Sequence, residues 1–67
     1  MITEIGITAG DIWHYLDELH KPVSFTQLAS EINRPRDLLL MSLGWLAREG
    51  YAMLIQEGDN YKISLRR

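Results

Sequence analysis

His14, Asp17, Glu18 and His20 are titratable side chains crowded into one short stretch. On a helix, His14 and Glu18 stand one turn apart, close enough to share a metal ion. Two ligands do not make a site, and no third is identifiable. They read instead as solvent-facing groups on a charged helix surface. No glycine-rich phosphate loop, nucleophile elbow or convergent pair of carboxylates appears elsewhere. Trp13, Trp45, Tyr51 and Tyr61 fit packing anchors better than a platform for stacking nucleotides. The expectation is a non-enzymatic chain that takes no cofactor, metal or small-molecule ligand.

The remaining chemistry is cationic. Arg34 and Arg36 flank Pro35 in "NRPRD", Arg48 closes the run "LGWLAR", and Lys62, Arg66 and Arg67 lie near the C-terminus. Guanidinium and ammonium groups bind phosphate, and arginine also reads guanine edges. Arg34, Arg36, Arg48 and Lys62 are therefore the candidate DNA-binding residues. Arg34 and Arg36 serve equally well in a solvated turn, paired with Glu31 and Asp37. Two features oppose DNA. Seven Lys and Arg face nine Asp and Glu, a formal net charge of −2, which removes the non-specific attraction of a basic surface. The segment Glu57-Gly58-Asp59-Asn60 also carries two carboxylates that phosphates would repel.

The elements that would position these groups can be read along the chain. Sixty-seven residues, 46% apolar and 24% charged, suit a single globular domain spanning 1–67. A chain this short buries only about 60% of its unfolded surface, so its core is marginal. Without cysteine no disulfide compensates, and self-association is the natural additional source of stability. The ten-residue apolar run "LLLMSLGWLA" is too short to span a bilayer. "MITEIGITAGD" lacks the basic region of a secretory signal, and a cytoplasmic location is expected.

Residues 1–7, partly β-branched, are expected to be extended or loosely ordered. Thr8 with Asp11 reads as a capping-box variant opening a helix from about Ala9 to Leu19. Ile12, Leu16 and Leu19 give that helix one buried face, and Pro22 closes it. Val23 adds a short extended piece. Ser24 with Gln27 is a better capping box, opening a short helix with Leu28, Ala29 and Ile32 on its apolar face. Pro35 suits the first position of a third helix. That helix runs to about Glu49, with Gly50 left-handed just beyond it. "YAMLIQ" and "YKISL", joined by the tight turn "EGDN", form a hairpin in which Tyr61, Ile63 and Leu65 face the core. The order is three helices followed by a β-hairpin: a mainly α, α+β winged helix-turn-helix.

"AGDIWHYL" (9–16) and "SLGWLAREGYAM" (42–53) resemble a family of small, stand-alone prokaryotic winged helix-turn-helix proteins catalogued as a domain of unknown function. The resemblance covers nearly the whole chain, with "LGWLARE" as its most specific run. It implies the fold. A transcription-associated, DNA-binding role is implied by the fold class rather than by that family.

The third helix raises the main difficulty. Leu39, Ser42, Leu43 and Leu46 fall on one face, toward the other helices. Asp37, Met41, Gly44 and Arg48 fall opposite, flanked by Leu38 and Trp45 on one side and Leu40 on the other. A base-reading helix would carry Arg, Lys, Asn, Gln or Ser there. A helix apolar nearly all round is normally covered on both sides. Leu38, Met41, Gly44 and Trp45 are therefore expected to form a homodimer interface. The competing arrangement folds the hairpin over Trp45 within one chain. A module that binds proteins without touching nucleic acid is the functional alternative.

Overall fold

The computed structural model describes residues 1–66; Arg67, grouped above with Lys62 and Arg66, lies outside them. Its elements run α1 (Ile2–Leu19), β1 (Val23–Ser24), α2 (Phe25–Glu31), α3 (Arg36–Arg48), β2 (Ala52–Glu57) and β3 (Asn60–Leu65). The strands form one antiparallel sheet in the order β1-β3-β2. This is the three-helix, winged architecture that the sequence predicts.

The N-terminus corrects the expectation of loose chain. α1 begins at Ile2, seven residues before Ala9. Ile5 continues the spacing of Ala9, Ile12 and Leu16, so helical phase overrides the local β-branched composition. Thr8 and Asp11 consequently cap nothing. Thr8 sits mid-helix at 0% exposure, while Met1 occupies the cap position without a side-chain bond. The Met1 ammonium instead pairs with Glu4 at 2.8 Å and holds that exposed carboxyl below its ordinary pKa. His20, left-handed with φ 55°, caps the end of α1 two residues before Pro22.

Ser24 caps α2, its hydroxyl accepting from the Gln27 backbone N–H at 3.1 Å, as expected of a cap. Pro35 takes the cap position of α3 rather than the first helical one, a one-residue shift. Leu39, Ser42, Leu43 and Leu46 are the buried residues of α3, the face predicted from their spacing. Ser42 satisfies its buried hydroxyl by donating to the Leu38 carbonyl at 2.7 Å. Gly50, at φ 82°, turns the chain out of α3 as expected.

In the wing, Glu57 pairs with Asn60 across a two-residue turn. Gly58 supplies its left-handed residue at φ 61°. The expected alternation gives the right face but not uniform depth. Ile63 is fully buried beside Val23, Leu65 is half-buried, and Tyr61 is exposed. The helices cover only the base of the sheet, so β2 is exposed beyond Ala52. The core draws Ala9, Ile12 and Leu16 from α1, Phe25 and Leu28 from α2, and Leu39, Leu43 and Leu46 from α3; Val23, Ala52 and Ile63 close it from the strands.

Candidate functional site

The free face of α3, bounded by the wing and by the N-terminal half of α1, is the candidate site. The four cations expected to contact DNA do not gather there. Arg34 reaches back to α1, donating to the Thr8 hydroxyl at 3.0 Å and to the Asp11 carboxylate at 2.7 Å. It clamps the turn before α3 onto α1. Glu31 and Asp37, the partners expected from the sequence, are close neighbours along the chain. The actual ones lie more than twenty residues upstream, side by side on a helix that begins earlier than its composition suggests.

Lys62 is also engaged, pairing with Glu57 at 3.6 Å across the hairpin. Arg36 opens α3 with its guanidinium 4.9 Å from the centre of the Phe25 ring, a cation–π contact that leaves the side chain exposed. Arg48 is exposed at the other end. Twelve residues separate the two along α3, about 18 Å of helix.

Apolar surface fills the interval. Leu40 is exposed, with Met41 at 41% and Trp45 at 45% exposure. Leu38 is half-buried. A Cβ built on Gly44 would meet nothing within 4 Å, so packing within the chain does not require glycine there. Of the expected interface residues, Gly44 and Trp45 line two different grooves flanking α3, and Leu38 and Met41 line neither. Gly44 lines one of 220 Å³ with Leu40, Leu43, Leu54 and Tyr61, between α3 and the wing. Trp45 lines another of 490 Å³ with Gly6, Gly10, Trp13, Tyr51 and Arg66, against α1. The wing does not fold over Trp45. Tyr51 lies beside it instead, ring centres 6.1 Å apart. Sequence reasoning missed Gly6, Gly10 and Trp13 as site residues. Their signal was the helical spacing of residues 2–13, masked by β-branched side chains.

His14 lies edge-on to Trp13, ring centres 5.4 Å apart. Among the described residues no three His, Cys, Asp or Glu side chains gather as metal ligands would. No described helix is long and apolar enough to cross a membrane.

A family model described as a winged helix-turn-helix domain, DUF2582, matches residues 1–66. The chain belongs to this DUF2582 family. Its fold is similar to a solved structure described as "Structural insights into the DNA recognition and protein interaction domains reveal fundamental homologous DNA pairing properties of HOP2". The TM-score is 0.74 at 25% identity, covering 88% of this chain and 98% of that one. Comparison with curated proteins finds no match. The family accounts for the fold and leaves the use of α3 to be argued from its surface.

Proposed function

We propose that this DUF2582 domain is a non-enzymatic, cytoplasmic DNA-binding module that works as a homodimer in a transcription-associated role. The observation that carries the reading is the accessibility of α3: the wing stands beside the helix without covering it. Similarity to a HOP2 structure concerned with DNA recognition supports the same reading. Arg36 and Arg48 are the accessible phosphate contacts at the two ends of the helix. Arg34 and Lys62 contribute only by exchanging a carboxylate partner for a phosphate. Association of two copies would double this sparse set of cations and cover apolar surface that DNA does not favour.

Titration of labelled duplex DNA by anisotropy tests the proposal. Binding should be weak at physiological salt and should strengthen as salt is lowered, as counterion release requires. The double variant Arg36→Glu, Arg48→Glu should abolish it. Binding that survives this change, or that ignores salt, would reject the surface. Arg34 is left out because reversing it would break a contact inside the fold.

A specific observation favours a second reading, a protein-binding module without DNA. The exposed segment between Arg36 and Arg48 presents Leu40, Met41, Gly44 and Trp45 rather than side chains that read bases. Absence of duplex binding even at low salt would select it.

A further inference from the structure

The first two turns of α1 draw little support from their own chain. None of residues 1–7 belongs to the core, and Ile5 alone among them is half-buried. Ile2 is 86% exposed, and Met1 and Ile7 are also exposed. The segment contains β-branched Ile2, Thr3, Ile5 and Ile7 together with Gly6, all weak helix formers. Two such turns, packed only through Ile5, would fray in water. Beside them runs the larger groove, floored by Gly6 and Gly10 and walled by Trp13, Trp45 and Tyr51. A Cβ at either glycine would meet nothing within 4 Å, so the floor is open to the approach of another backbone.

We propose that the N-terminal turns of α1 are an arm received by this groove in a second copy, in a reciprocal antiparallel pairing of the two α1 helices. The inference rests on the homodimer reading above and gives it a location. Ile2, Gly6, Gly10 and Trp13 follow one another at helical spacing, on one face of α1. Antiparallel helices crossing midway between Gly6 and Gly10 bring Gly6 of one copy opposite Gly10 of the other. The same register brings Ile2 of each copy opposite the Trp13 turn of its partner. The contact is isologous and closes on itself. Charged side chains are absent from this stripe between Ile2 and Trp13, and Arg66 stands at the rim of the groove. The exposed portions of Met1, Ile2, Ile7, Trp45 and Tyr51 amount to several hundred Å², the order of the ~800 Å² that each partner buries in a standard interface. Pairing would also supply the packing that the overhanging turns lack.

Sedimentation equilibrium on the full chain, with Ile2→Lys and Met41→Glu as separate variants, tests this location. Both positions are exposed, so neither change threatens the fold, and circular dichroism verifies that. Ile2→Lys places a charge in the apolar pairing twice, and should weaken the dimer roughly a hundredfold or more. Met41→Glu, on the outward face of α3, should leave it within a few-fold. In a dimer prepared from equal amounts of ¹³C-labelled and unlabelled chain, intermolecular NOEs should join Ile2 methyls to the Trp13 and Trp45 indoles. A dimer dispersed by Met41→Glu but not by Ile2→Lys would overturn the α1 pairing while leaving self-association intact. So would a dimer lacking those NOEs. A chain that is monomeric at tens of micromolar would overturn both.

Discussion

Arg34 is the residue whose role changes most between sequence and structure. A guanidinium next to a proline turn looks like a phosphate ligand, yet here it satisfies a fully buried threonine and an aspartate on α1. The Asp11 pair is partly exposed and contributes little by itself. The Thr8 bond matters more, because a buried hydroxyl stripped of its donor retains its desolvation penalty. Arg34→Ala should therefore lower unfolding stability by about 1–3 kcal/mol in urea titrations. A change below about 0.5 kcal/mol, the range of ordinary surface substitutions, would show that the clamp is not structural.

At the scale of elements, the wing is the part least suited to DNA as it stands. Its tip holds Glu57 and Asp59, and Glu57 also neutralises Lys62. The double change Glu57→Lys, Asp59→Lys both removes this repulsion and releases Lys62. If the wing approaches the duplex, affinity should rise, with a steeper dependence of log K on log salt. An unchanged slope would mean that the wing points away from the bound duplex. The outer face of the wing carries Met53 and Ile55, both exposed, so the wing is amphipathic only at its base. α1 has the opposite imbalance: its C-terminal half is packed and its N-terminal turns stand clear.

Across the whole molecule, apolar surface exceeds what one small fold can hide. Trp45 reports on this best because it is large and 45% exposed, and lines the groove against α1. Trp45→Glu should keep the secondary structure but give a monomer by light scattering, with a reduced melting temperature. The charge would be desolvated in both copies of a symmetric interface. Outright unfolding of this variant would instead make Trp45 a core residue of the single chain.

The periodicity of the sequence by itself determined the order of elements and most of the core. Leu39, Ser42, Leu43 and Leu46 were legible as one face because helical geometry fixes which side chains share a side. Ser24 and Gly50 marked their helix ends through local hydrogen bonding and backbone conformation, which need no distant partner. Residues 2–7 were not legible, since β-branched composition and helical phase disagreed there. The engagement of Arg34 could not be read either, because its partners stand 23 and 26 residues away. Which apolar residues of α3 stay uncovered was likewise a tertiary decision. A helical wheel orders Leu38, Leu40, Met41 and Trp45 around the axis, but only the positions of α1 and the wing assign each to a groove or to solvent. Spacing specifies direction from one helix, whereas burial depends on what stands opposite.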